Sequence, residues 1–134
     1  MSEKELFQQY FVGLQTYINS QHGSVLTTDA SLHDSLPIVE IKPMMYGLDD
    51  ETLDKSEMKF RITYQIDIYA KDIQGTNVDD VLFDLSEKVI TYFLNEGFNI
   101  TSDLRVPNMD VQIRRKNIRV SGLYDTLRNV MYRR

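Results

Sequence analysis

The sequence predicts an α+β domain: a mostly antiparallel sheet of about four strands with two helices packed on one face, in the order α-β-β-α-β-β. Three observations predict it. The segment Met58–Lys71 alternates apolar Met58, Phe60, Ile62, Tyr64, Ile66, Ile68 and Ala70 with polar Lys59, Arg61, Thr63, Gln65, Asp67 and Lys71, the period of a strand covered on one side. Two other stretches, 3–20 and 78–96, carry apolar residues three and four apart, the period of amphipathic helices. Clusters of Gly, Pro, Asn and Asp punctuate the segments between. One core can serve all 134 residues, so a single domain over 1–134 is expected.

The first helix, 3–20, has its stripe at Phe7, Tyr10, Phe11, Leu14, Tyr17 and Ile18, with Ser2 as N-cap and Glu5 three residues later completing a capping box. The polar stretch Asn19–Ser35 reads as a loop, with Val25 and Leu26 as its apolar anchor. Pro37–Pro43 brackets β-branched residues with prolines and predicts a short strand. The fourteen residues Met44–Glu57 then form the tip of a long hairpin or a loop of their own. At about 3.3 Å per residue, the strand Met58–Lys71 reaches roughly 45 Å, more than most strands, and is expected to project past its own domain toward another subunit.

Asp72–Thr76, with Gly75, ends that strand, and Asn77 caps the second helix, whose first turn holds Asp79 and Asp80 and whose stop is Gly97. Val78, Val81, Leu82, Leu85, Val89, Tyr92 and Phe93 form its core stripe. Phe83, Ile90 and Leu94 form a second stripe about 100° around, to be covered by the first helix or by a neighbouring subunit. Beyond a short Phe98–Thr101 segment and the turn at Pro107-Asn108, alternation at Met109, Val111 and Ile113 predicts a strand. Arg114-Arg115-Lys116-Asn117 predicts a basic turn, and Ile118, Val120 and Tyr124 a returning strand. Leu127, Val130 and Tyr132 suggest a last strand or short helix.

The net charge of -5 conceals a division: residues 105–134 hold eight basic and two acidic side chains, and the rest of the chain seven and eighteen. Arginine supplies seven of those eight, and its planar fork suits carboxylate or phosphate. The basic residues Arg114, Arg115, Lys116 and Arg119 are read as a solvated turn, a phosphate-facing surface or a subunit interface. The acidic cluster Asp49, Asp50, Glu51, Asp54 and Glu57 lacks the glycine and ligand spacing of a calcium loop; it reads as a solvated tip that can pair with the basic block of an adjacent copy.

The sequence presents no convergent catalytic set. The chain has no cysteine, which excludes disulfides, thiolate chemistry and Cys-based zinc sites. His22 and His33 lie in the polar loop, where solvent-exposed histidines are the ordinary reading. The six glycines are dispersed and form no phosphate cradle. No enzymatic activity, cofactor or metal is expected. Tyr64 and Tyr92 belong to core faces, whereas Tyr46 and Tyr69 are candidates for exposure. No apolar run approaches the roughly 20 residues of a membrane span, and Met1–Tyr10 lacks the layout of a signal peptide, so a protein that stays where it is made is expected.

Taken together, the N-terminal amphipathic helix, the strand ending at Pro43, the acidic loop, RITYQIDIYAKD, the helix DDVLFDLSEKVITYFLNEGF and the closing basic region ending MYRR resemble the tail terminator, or tail-completion, proteins of long-tailed bacteriophages. The resemblance covers nearly the whole chain. It implies a structural virion protein, assembled in the host cytoplasm and placed at the tail-neck junction. There it would form a ring, six-fold in that family, that ends tail-tube polymerisation and joins the head connector. The partners it implies are other copies of the chain, the tail tube protein, the connector or neck protein and, without sequence specificity, genomic DNA in the lumen; no membrane is involved. Arg114, Arg115, Lys116, Arg119, Asp49, Asp50, Glu51, Asp54, Phe83, Ile90 and Leu94 are the candidates for the subunit interface or the lumen. The alternatives are a head-completion or connector protein at the same junction and a monomeric adaptor that docks an acidic partner.

Overall fold

The computed structural model describes residues 2–32, 36–48, 59–71, 77–106, 113–125 and 128–132. Helix α1 (Glu3–Ile18) opens with the expected capping box: the Ser2 hydroxyl accepts from the Glu5 amide at 3.1 Å, and the Ser2 amide donates to the Glu5 carboxylate at 3.4 Å. Asn19, at φ 51°, ends it. Helix α2 (Val78–Asn95) starts at Asn77, whose side chain accepts from the Asp79 amide at 3.0 Å, and Gly97 turns the chain away at φ 92°.

Among the described residues six strands form one mixed sheet: β1 (Val25–Thr27), β2 (Ile38–Leu48), β3 (Lys59–Lys71), β4 (Asn99–Val106), β5 (Ile113–Asp125) and β6 (Val130–Tyr132). The spatial order is β1-β2-β3-β5-β4, with β6 also paired to β5. The α+β class and the two helices match expectation. The strand number and order do not, for reasons that differ at each place.

Strand β1 is three residues long, too short to show a period, and runs parallel to β2 at Val25↔Ile38 to Thr27↔Glu40. Strand β2 continues five residues past Pro43, with an irregularity between Pro43 and Met45. Beyond Glu40 no described strand lies on its outer side, and a proline is tolerated on such an edge. Strand β4 is an edge strand whose residues are mostly exposed, so its apolar alternation is weak.

The basic turn expected at Arg114–Asn117 is instead the interior of β5, which pairs with β3 without interruption from Lys59↔Asp125 to Lys71↔Ile113. That register also corrects the expectation that the long strand projects. Strand β3 is paired along its whole length by β5 and from Phe60 to Tyr69 by β2, so its ladder is satisfied within its own molecule.

Both helices cover the same sheet face. Tyr10 of α1 and Phe93 of α2 converge on Tyr64 of β3 and on Phe98, with ring centroids 5.0 Å apart for Tyr10–Phe98, 5.1 Å for Phe93–Phe98 and 5.7 Å for Tyr64–Phe98. Ile62, Ile66, Ile68, Val39, Ile41, Ile118 and Val120 complete the core beneath them, all at 0% exposure. Edge-to-face ring pairs of this kind add about 0.5–1.5 kcal/mol each beyond burial. Neither α-helix lies over the opposite sheet face, where the short 3-10 turn Ala30–Leu32 reaches Glu40.

Candidate functional site

Because paired residues share a face, the register fixes which side chains occupy the open face. Lys42, Gln65 and Arg119 lie in one row, Glu40, Asp67 and Asn117 in the next, and Tyr69 and Arg115 in the next. At the centre sits Asp67, 2% exposed. One of its oxygens accepts from Arg115 Nε at 3.1 Å, Arg115 Nη2 at 2.9 Å and Asn117 Nδ2 at 2.8 Å; the other accepts from Gln65 Nε2 at 3.1 Å. Burial works against the charge of Arg115, but the hydrogen bonds and charge of Asp67 outweigh it and raise its pKa above the ordinary arginine value. Its guanidinium also stacks on Tyr69, 5.4 Å from the ring centre.

The other carboxylates of this face are equally withdrawn. Glu40, 6% exposed, accepts from the Ala30 amide at 2.7 Å and meets Lys42 at 3.5 Å. Asp125, at 0%, accepts from the Arg128 amide and the Tyr132 hydroxyl, both at 3.1 Å, and thereby fixes the turn into β6. Lys42, Lys71 and Arg119 are exposed and Arg61 half-buried, so the charge that the described residues of this face show to solvent is positive. The helix side carries exposed Glu3, Glu5, Asp80 and Glu87. An acidic protein thus turns a basic face outward on one side.

The four basic candidates separate by strand parity. Arg115 and Arg119 point to the open face, where the Arg119 Nε donates to Gln65 at 3.2 Å. Lys116 and Arg114 share the helix side. There the Lys116 ammonium meets Asp103 at 3.1 Å and donates to the Ser86 hydroxyl at 3.0 Å, above the Phe83 ring. Arg114 is exposed at the strand end. Lys42, Arg61 and Lys71 belong to the open face as well. Alternation alone put Arg61 and Lys71 on the polar side, but only the β3–β5 register shows that they join Arg119.

The second stripe of α2 stays uncovered by α1. Phe83 is 58% and Leu94 52% exposed, while Ile90 is half-buried against the core. This flank overlooks β4, since Arg105 of that strand binds Asp79 at 2.9 Å and lies over the Phe83 ring. Leu104 of β4 is 59% exposed. At the other edge of the sheet, Met44 and Met45 of β2 are each 52% exposed. Large exposed apolar residues therefore mark both sheet edges, and of these Met45, beside Thr63, is the one that the register adds to the open face.

Asp49, Asp50, Glu51, Asp54 and Glu57, with His33, lie outside the described residues. His22 is exposed as expected, but its Nε2 lies 2.8 Å from Asp84 of α2, which ties the loop after α1 to that helix. Tyr46 and Tyr69 are half-buried rather than exposed: Tyr46 stacks on Phe60 at 4.7 Å. Among the described residues no group of three or more His, Asp or Glu is placed to hold a metal ion, and no helix is long and apolar enough to cross a membrane.

No protein-family model matches the chain, and a search of curated proteins returned no match.

Proposed function

We propose that the chain is a structural subunit of a phage tail terminator ring, six-fold about the tail-tube axis, that caps the tube and receives the head connector. The observation that carries this reading is the uncovered Phe83 and Leu94 flank of α2, above the outer edge of β4. An apolar flank of this kind, beside a strand with an unpaired edge, marks an interaction surface. Its counterpart is the edge of β2 beyond Glu40, with Met44 and Met45, on the far side of the same sheet. Two different apolar edges on opposite sides of one subunit favour head-to-tail contact, which closes into a ring when the rotation allows.

The long strand β3 plays no part in that contact, because both of its edges are used internally. The acidic segment Asp49–Glu57 joins β2 to β3 in the sequence, and in the ring we assign it to the neighbour's Arg114, which is exposed and meets no carboxylate among the described residues. Such a contribution weakens with salt.

The test replaces Phe83 and Leu94 together with glutamate, leaving the core stripe untouched. The purified wild-type chain is expected to bind isolated tail tubes in preference to empty heads and to form rings, and the double variant to remain a folded monomer that leaves tubes uncapped. A preference for empty heads points to the connector role. A wild-type chain that stays monomeric at every concentration, with tubes present, overturns the ring.

A further inference from the structure

The open sheet face is organised for a polyanion, and we infer that it binds the phosphate backbone of nucleic acid without reading sequence. Arg61 and Lys71 are ten residues apart on β3, roughly 33 Å in extended chain, with Arg119 and Lys42 flanking Gln65 between them. A duplex carries one charge per about 1.7 Å of axis, so a strip of this length spans many phosphates.

The described carboxylates of the face are withdrawn from solvent, although Glu40 meets Lys42 at 3.5 Å. Glu40, Asp67 and Asp125 are all under 7% exposed and hold internal donors. Asp67 fixes Arg115 beside Tyr69, near the Lys71 end of the strip, and Gln65, held by Asp67, in turn accepts from Arg119 Nε. Arg119 itself is exposed. The buried anions thus act as supports that hold arginines in place.

An acidic protein surface is the competing occupant, and the make-up of the face argues against it. Protein interfaces concentrate apolar and aromatic residues at their centre. Here the centre is Thr63, Gln65, Asn117, Arg119 and Ser121, and Met45, beside Thr63 on the edge strand β2, is the large exposed apolar side chain that the register adds to it. Base stacking is also disfavoured, since the Tyr69 ring is already covered by Arg115. What remains is charge and hydrogen bonding to phosphate, the sequence-independent mode of recognition.

This inference stands on the subunit and does not require the ring. The test is fluorescence anisotropy of a labelled mixed-sequence duplex titrated with the full chain between 50 and 200 mM salt, with light scattering on the same samples. Four phosphate contacts give a log–log salt slope of roughly -3 to -4, a loss of about a hundredfold over that range. The Arg61→Glu, Arg119→Glu double variant is expected to bind at least about tenfold more weakly and to lose about two units of slope. Lys42→Glu with Lys71→Glu, at exposed positions, repeats the test if the arginine variant misfolds. The helix-side variant Lys4→Glu, Lys88→Glu makes the same change in net charge and is expected to bind as the wild type does.

Three results overturn the inference: no binding at 50 mM salt, equal weakening by the helix-side variant, or equal affinity and slope for polyglutamate, which assigns the face to an acidic protein. A monomer that binds duplex with the expected slope sinks the ring and leaves this inference standing.

Discussion

Asp67 shows what one buried carboxylate does for a strand that is polar on one side. It accepts four hydrogen bonds from three side chains on two strands, and its 2% exposure leaves little for water to replace. Asp67→Ala strands the donors of Arg115 and Asn117 and is expected to cost about 2–4 kcal/mol, read from the shift in urea midpoint. A loss under about 0.5 kcal/mol would show that the network adds nothing net to folding.

Gly13 is a second residue-scale test. A Cβ there would collide with the Tyr92 hydroxyl, so the glycine sets how closely α1 and α2 approach. Gly13→Ala gains about 1 kcal/mol of helix propensity and loses about 1–3 kcal/mol to overpacking, a net loss. In a Tyr92→Phe background more than half of that loss is expected to be recovered. Equal losses in both backgrounds would remove the collision as the cause.

The same tyrosines set an alkaline limit. Burial, then the charge of Glu96, pushes the Tyr92 pKa up to about 12, and burial chiefly pushes that of Tyr64 higher still, from an ordinary value of 10.0. Above pH 10 the unfolded chain releases protons that the folded chain keeps, so stability falls as pH rises. It is fully present below 10 and lost progressively from 10 to 12 and beyond. Urea midpoints at pH 9, 10.5 and 12 should fall in that order, less steeply in Tyr92→Phe; a flat series contradicts the assignment.

At the scale of elements, α2 separates packing from recognition within one helix. Phe93, 0% exposed, contacts Tyr10, Tyr64 and Phe98, and its replacement by alanine is expected to cost about 3–5 kcal/mol. Phe83→Ala, on the exposed flank, should change stability by less than about 1 kcal/mol while weakening assembly. If Phe83→Ala destabilises the subunit as Phe93→Ala does, the flank belongs to the fold and is not available to a partner.

The strands also show where local pattern stops being informative. Both helices and β3 were legible because their periods run uninterrupted for thirteen residues or more and their caps are explicit. Strand β5 was misread at Arg114–Asn117 because four polar residues interrupt its apolar alternation. Arg115 and Asn117 are polar because they face the open side and bind Asp67, while Lys116, on the helix side, sets its ammonium over Phe83 and finds Asp103. Strands β1 and β4 are sheet edges, and an edge has too little burial to write a period into the sequence. The roles of Arg61 and Lys42 depend on register with distant strands, which no local pattern encodes.

Across the whole molecule, the architecture separates charge by layer. The helices carry exposed acids outward, the aromatic core holds them to one side of the sheet, and the other side presents cations propped on buried carboxylates. The apolar remainder is confined to the two sheet edges and the helix flanks. In the proposed ring the edges join neighbours and the basic face is left for a polyanion, so contacts between subunits and contacts with the backbone use different residues. Arg61→Glu should therefore leave assembly intact, and Phe83→Glu should leave duplex binding by the monomer intact; loss of both properties in either variant would show that one surface serves both.

Assembly is visible in negative-stain images of the purified chain, alone and mixed with isolated tail tubes. Closed rings of about six subunits are expected in the free protein, with a ring of the same diameter seated at the end of each tube. Single-subunit particles in both samples, with bare and still-growing tube ends, would contradict the ring.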